Sequence, residues 1–263
     1  MCSQVVLYTT RTEDSHDKSI ATVSAEALEM ELAEVDMEPE TVWTAIPEVI
    51  WAIESSSIMD IEIALPFFLA ARQAFHDGMT LMVSGQGPDE LFAGYARHLR
   101  LFEEKGAMPL EEQLWNEVSQ THEANIERDE RAIAFHGLEA FFPYLEPSFV
   151  ELAMTIPGEW KVRPESSPSR KIVFRDLAQA LGVPKEVALL PKRATQYSSG
   201  SSSVLRDAVS RNVGDASGLT RKGIRSLTQA VLGRIAHDMG MPVEMPTTEI
   251  QFKTQPTLPS RRR

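Results

Sequence analysis

Cysteine is almost missing from the 263 residues; Cys2 stands alone. One thiol cannot close an internal disulfide, so a disulfide scaffold is excluded and a reducing compartment is expected. No apolar run approaches the roughly 18 residues that a membrane-spanning helix needs, and no basic-then-apolar leader opens the sequence. These absences point to a cytoplasmic protein with no membrane partner. Internal repeats and sustained heptads are lacking too, which removes solenoids and coiled coils. What remains is globular: 43% hydrophobic and 24% charged residues support one large domain or two small ones.

Positive charge is also scarce. The net charge is −12, yet residues 216–263 hold eight Lys and Arg against three acids, a net of +5 that leaves −17 for residues 1–215. An acidic body of this kind lacks the cations that displace counterions from phosphates, so no nucleic-acid partner is expected. Arg261, Arg262 and Arg263 follow a turn-prone Pro-Thr-Leu-Pro-Ser run and read as a solvated tail.

Val5 to Tyr8 is short, apolar and β-prone, as a buried parallel strand would be. A polar loop from Thr10 to Ser15 leads to a helix expected over Ser19 to Leu32. A second strand is expected near Leu32 to Met37. Pro39 to Ile53 places Val42, Ile46, Val49, Ile50 and Ile53 at helical spacing, the pattern of a core stripe. The next helix is expected from Leu65, with Pro66 in its first turn and Gly78 at its exit. Met79 to Val83 reads as a strand. Strands alternating with helices predict a parallel sheet holding both Val5–Tyr8 and Met79–Val83, covered by helices. Beyond Arg97 the strand signals fade into helices: an acidic stretch from Leu101 to Glu130, then Phe149 to Ile156 and Pro168 to Leu181.

The strand ending at Val83 runs straight into Ser84-Gly85-Gln86-Gly87-Pro88-Asp89-Glu90-Leu91-Phe92-Ala93-Gly94-Tyr95. Two glycines let backbone approach a ligand, and a helix opening near Pro88 offers free N–H groups at the carboxyl end of a strand. Open α/β sheets bind nucleotides at such places. Glycine spacing alone is weak evidence, and acids in a first helical turn are also favoured by the macrodipole. Carboxylates beside a triphosphate require a cation between them, and Mg2+ supplies one.

This run resembles the second signature of asparagine synthetase synthase domains, relatives of the β-lactam synthetases. Further matches follow in order: Asn125 to Asp129, His136 to Glu139 with Pro143 to Glu146, Lys171 with Phe174 and Arg175, and Pro191 to Gly200. The resemblance covers Val5 to Val209. It implies a synthase-like domain over residues 1–215, split into an α/β part (1–97) and a helical part (98–215), with 216–263 as a basic flexible tail. The implied fold is a parallel sheet of the adenine-nucleotide alpha-hydrolase type.

The implied activity is ATP-dependent amidoligation: aspartate or a similar carboxylate becomes an acyl-adenylate, ammonia attacks it, and AMP and pyrophosphate are released. Carried over by position, Ser84 and Gly85 contact ATP, Thr10 offers a backbone contact to adenine, and Asp89 holds Mg2+. Lys192 stabilises charge on the phosphate oxygens. Glu139 serves as acid/base or positions substrate, with a structural ion pair as its ordinary alternative. Three positions depart from the family. Gln86 stands where Glu is usual beside the acyl-adenylate, Phe141 where Arg is usual, and Glu146 where Asp is usual. The family's Ser-Gly-Gly-x-Asp-Ser pyrophosphate loop does not occur in the 263 residues, so that loop is expected from upstream sequence or a neighbouring chain. A glutaminase domain does not fit either, and a glutaminase subunit is one expected partner. A relative that binds a nucleotide or partner without catalysis is the alternative.

Overall fold

A computed structural model describes residues 5–12, 17–191, 199–214, 216 and 218–259. The chain begins with β1 (Val6–Arg11), α1 (Asp17–Ala27) and β2 (Glu31–Asp36), and the two strands pair in parallel from Val6↔Glu31 to Arg11↔Asp36. Helices α2 (Pro39–Ile53) and α3 (Ile58–His76) follow, then β3 (Leu81–Val83). A helical run comes next: α4 (Pro88–Leu91), α5 (Ala96–Lys105), α6 (Ala107–Thr121), a π turn at His122–Ile126, and α7 (Glu127–Ala134). Strand β4 (Glu139–Phe141) returns to pair in parallel with β3. The remaining helices are α8 (Pro147–Thr155), α9 (Gly158–Lys161), α10 (Ile172–Ala180), α11 (Lys185–Ala188), α12 (Ser201–Asn212) and α13 (Arg221–Asp238).

Small parallel sheets among many helices agree with the expected α/β class, but the expected helical cover is incomplete, since Leu81 and Val83 of β3 are exposed, and the described strands do not form one continuous sheet. Among the described residues β1 and β3 belong to separate two-stranded sheets. What they share is a support. Tyr8, Met79 and Met82 pack on one buried cluster formed by Ala71 and Ala74 of α3 with Ile133 and Leu138, and the Tyr8 hydroxyl donates to Asp77 Oδ2 at 2.8 Å beside the end of that helix.

The α2 stripe is buried as its spacing predicts, with Val42, Ile46, Val49, Ile50 and Ile53 all inside. They pack against α3, α12 and α13 in the principal core, each contributing about 1.5–3 kcal/mol through apolar burial. Helix α1 stops five residues before the expected Leu32. Glu29 adopts a left-handed φ of 52°, and Leu32 lies in β2. Helix α3 starts at Ile58 rather than Leu65, so Pro66 sits inside it. Proline there leaves the carbonyl four residues earlier without its helical donor. That carbonyl belongs to Glu62, and the Ser201 hydroxyl donates to it at 2.5 Å.

The acidic stretch is broken rather than continuous: Gly106 turns the chain at φ 84°, and the π turn interrupts it again. Pro168 precedes α10 instead of opening it, because residues 162–170 close a hairpin through the antiparallel Val162↔Arg170 bridge. The basic tail is also corrected for residues 221–238. These form α13, whose Val231, Leu232, Ile235 and Ala236 lie in the principal core.

Candidate active site

The glycine loop starts at the carboxyl end of β3, where the Ser84 N–H donates to Phe141 O at 2.9 Å and extends the pairing with β4. Ser84 is buried. Gly87 has a φ of 110°, which favours glycine, and a Cβ there would come within 2.7 Å of Leu145 Cδ2 and oblige that side chain to shift. Pro88 then occupies the first turn of α4, bringing Asp89 and Glu90 with it.

The two acids diverge. Asp89 Oδ1 lies 2.9 Å from Lys171 Nζ. Gly94 makes this approach possible, since a Cβ on it would collide with Asp89 Oδ1 and with Lys171 Cε. Lys171 is delivered by the 162–170 hairpin and takes a left-handed φ of 57°, a conformation that costs a non-glycine residue on the order of 1 kcal/mol or more. Arg170 Nη1 donates to Gly94 O at 2.5 Å, fixing the same turn.

Glu90 points elsewhere. It is buried and accepts from the Tyr95 hydroxyl at 2.5 Å and from Asn125 Nδ2 at 3.3 Å. Burial raises its pKa, opposed by the Tyr95 hydrogen bond. Behind it, Glu117 accepts from Arg97 at 2.8 and 2.9 Å and lies 2.9 Å from His98 Nε2. Burial works against the charged form of Glu117, but the hydrogen bonds from His98, Arg97 and Gln113 hold its pKa down at about 2.

Gln86 turns toward α7. Its Nε2 donates to Asp129 Oδ2 at 2.6 Å, while Arg128 Nε donates to Asp129 Oδ1 at 2.8 Å. Asp129 is wholly buried, and burial lifts its pKa to about 6 against the lowering effect of Arg128 and Gln86.

Ser84, Gly85 and Gln86 on the glycine loop and Asp89 in the first turn of α4 therefore follow one another at the end of β3, whereas Glu139 and Thr10 lie apart from them. Glu139 is exposed at the amino end of β4, opposite Leu81. That is three residues upstream of Ser84, about 10 Å along a strand. Thr10 is buried at the carboxyl end of β1, paired with Val35 in the other sheet.

Beside Thr10 opens a cavity of about 990 Å³, with Arg11, Thr12, Asp36 and Arg211 among its walls. Its charges are largely satisfied internally: Arg11 lies 2.9 Å from Asp36, and Arg211 lies 3.1 Å from Glu40. Gly200 abuts this end of β1, where a Cβ on it would collide with Thr12 Oγ1.

Lys192 lies outside the described residues. The chain leading to it is held by Arg175, which donates to Ala188 O at 2.5 Å, Leu190 O at 2.8 Å and Arg170 O at 2.8 Å. That clamp joins residues 188–190 to the segment carrying Lys171.

No group of three or more His, Cys, Asp or Glu side chains suited to a metal occurs among the described residues. Asp89 offers a single carboxylate, and Mg2+ is commonly held by one or two carboxylates completed by phosphate oxygens and water. Sequence reasoning singles out Asp129 and Lys171 only as parts of matched segments. Their pairings with Gln86 and Asp89 cross 43 and 82 positions of chain, and no local pattern encodes them.

Residues 3–108 and 102–231 match the family model described as asparagine synthase. "Putative asparagine synthetase (glutamine-hydrolyzing) 1" of Methanocaldococcus jannaschii is 33% identical over 226 residues, covering 75% of this chain and 42% of that protein. "Asparagine synthetase domain-containing protein 1" of Mus musculus is 35% identical over 132 residues, covering 49% of this chain and 21% of its own length. Asparagine synthetase 1 (glutamine-hydrolyzing) of Saccharomyces cerevisiae is 28% identical over 162 residues, or 59% and 28% of the two chains. The chain spans less than half the length of each of these relatives. With a family model matched over most of its residues, the chain belongs to the asparagine synthase family.

Proposed function

We propose that this chain is the synthase part of an ATP-dependent amidoligase, with an adenine-nucleotide alpha-hydrolase type of fold. In the proposed reaction a carboxylate oxygen of aspartate, or of a similar small acid, attacks the α-phosphorus of ATP and expels pyrophosphate. Ammonia then attacks the acyl carbon of the adenylate, loses a proton, and AMP departs with the C–O bonding pair. The observation that carries this reading is the glycine loop at the carboxyl end of a parallel strand, with Asp89 held beside Lys171 at 2.9 Å. An acid at that place supports cation-assisted phosphate binding, and a neighbouring lysine supplies charge for phosphate oxygens.

Within this reading Ser84 and Gly85 bind the nucleotide, Thr10 meets adenine, and Asp89 binds Mg2+. When bound, that ion neutralises phosphate charge. Lys192 stabilises the charge developing at the α-phosphate. Gln86 faces the acyl group. Glu139, at the far end of β4, acts on substrate only if the bound ligand reaches past Phe141. The pyrophosphate cradle comes from a neighbouring chain or an upstream segment, and a glutaminase subunit is the proposed source of ammonia. No helix among the described residues is long and apolar enough to cross a membrane, which suits the proposed cytoplasmic setting.

The test uses the purified chain with ATP, Mg2+, aspartate and ammonium chloride, following AMP and pyrophosphate. Turnover is expected to be slow or absent for the chain alone. It should rise when a Ser-Gly-Gly-x-Asp-Ser-bearing segment is supplied as an extension or partner. Lys192→Met should then lower the restored turnover more than it lowers ATP affinity. Turnover of roughly 1 per second or faster by the chain alone would make the cradle dispensable, and an unchanged rate in Lys192→Met would remove that lysine's role.

A further inference from the structure

Gln86 departs from the acid that the family usually carries, and its surroundings give a reason. Its amide nitrogen is 2.6 Å from Asp129 Oδ2, and the opposite carboxylate oxygen is taken by Arg128 at 2.8 Å. Asp129 is fully buried. A glutamate at position 86 would set two carboxylates against each other at that distance, and one would have to take up a proton. The glutamine and the aspartate are therefore matched to one another.

The match fixes the amide's polarity. With Nε2 committed to Asp129, Oε1 is the end that no protein donor meets among the described hydrogen bonds. We propose that Asp129 is a positioning residue that holds the Gln86 amide by its nitrogen, so that the glycine loop offers a hydrogen-bond acceptor to a ligand group that donates, such as the N–H of ammonia or ammonium. This rests on the amidoligase reading, in which a nitrogen nucleophile approaches the acyl group beside the loop.

The charges around the pair support the arrangement. Arg128, on α7 itself, faces Asp129 directly, and Asp60 of α3 lies 3.9 Å from Arg128 Nη1. Asp60 is in turn held by the Ser55 hydroxyl at 2.8 Å. Burial, with Asp60 adding to it, brings Asp129 to a pKa of about 6. Above that pH it accepts from Gln86. Below it the carboxyl group gains a proton to donate, and the amide can rotate to present nitrogen instead.

Two substitutions separate polarity from shape. Asp129→Asn keeps the size, but Arg128 holds the remaining oxygen, so the new amide nitrogen faces Gln86. Gln86 must then turn, offering Nε2 to the ligand. Adding Gln86→Glu restores an acceptor, because the amide nitrogen introduced at position 129 can donate to one carboxylate oxygen and leave the other free.

The experiment is 13C and 15N NMR of the side chain at position 86 in the intact chain with ATP present, at about pH 7.5, above the Asp129 transition. The probes are ammonium chloride and tetramethylammonium chloride, which carry equal charge but differ in N–H. Saturable shifts with ammonium alone are expected in the wild type and the double variant, with a response weaker by about fivefold or more in Asp129→Asn, the size of one lost hydrogen bond. The wild-type amide signals should also titrate with a midpoint near pH 6, and Asp129→Asn should abolish that titration. Equal responses to the two probes, or an amide indifferent to Asp129→Asn, would overturn the inference. AMP release that stays absent when aspartate, ammonium and a Ser-Gly-Gly-x-Asp-Ser-bearing segment are all supplied would count against the amidoligase reading and leave the polarity result standing.

Discussion

Single residues in this molecule do their work by being held, and Asp129 shows the energetic side of that. Its folded pKa of about 6 lies above the ordinary aspartate value of 3.8, so the fold disfavours its charged form. Below about pH 4 both folded and unfolded states are protonated and nothing is lost. As pH rises toward 6 the unfolded chain sheds its proton first, and native stability falls. Above that value the loss is complete at roughly 3 kcal/mol, from about two pKa units at 1.36 kcal/mol each. Chemical denaturation at about pH 4 and about pH 7.5, on either side of the transition, should show the wild type losing about that much relative to Asp129→Asn. A constant difference between the two proteins would mean that Asp129 keeps an ordinary pKa. Gly94 makes a related point through sterics, since the Asp89–Lys171 pair occupies the space its Cβ would need.

Among the elements, α3 shows what periodicity can and cannot reveal. Its apolar spacing marks a helix, but Pro66 reads as a first-turn residue, and the true start lies at Ile58, seven residues before the expected Leu65. The proline is tolerated because a hydroxyl from α12, distant in sequence, satisfies the carbonyl it orphans. Ser201→Ala should cost about 1–3 kcal/mol by leaving that buried carbonyl without a donor, while exposed Ser203→Ala should stay within about 0.5 kcal/mol. Urea melts of the two variants would decide it, and equal midpoints would place the compensation elsewhere. The π turn at His122–Ile126 is equally hidden from sequence, because it differs from an α turn by one residue and leaves the acidic helical pattern intact. It lies just before α7 and carries Asn125 toward Glu90, with Asp129 beside Gln86 on the next turn. The α2 stripe, by contrast, is fully legible. Its burial is continuous along one face, and no distant partner has to be known.

For the whole molecule, the glycine loop and its strand are readable from local chemistry, but the grouping of strands is not. Hydrophobic runs identify β1 and β3 without saying which neighbours they pair with, and each takes a separate parallel partner. Charge misleads in a similar way at the carboxyl-terminal end. The basic excess after Ala216 suggests a solvated tail, yet α13 alternates its cations with residues that complete the principal core. Val231, Leu232, Ile235 and Ala236 pack there with Leu205 and Val209 of α12, and Ile250 joins them beyond the helix. A chain ending at residue 215 would expose that face of α12 and its contacts with α2 and α3. At about 1.5–3 kcal/mol for each large apolar side chain, losing Val231, Leu232, Ile235 and Ile250 removes roughly 6–12 kcal/mol. That is comparable to the entire net stability of a typical domain, about 5–15 kcal/mol. Truncation after residue 215 should therefore abolish the cooperative thermal transition and increase binding of a hydrophobic dye. Removal of residues 260–263 alone, which takes the three terminal arginines, should leave the melting temperature within a few degrees. A cooperative, dye-negative 1–215 fragment would show that α2, α3 and α12 close their own core, and that α13 is an addition rather than a wall of it.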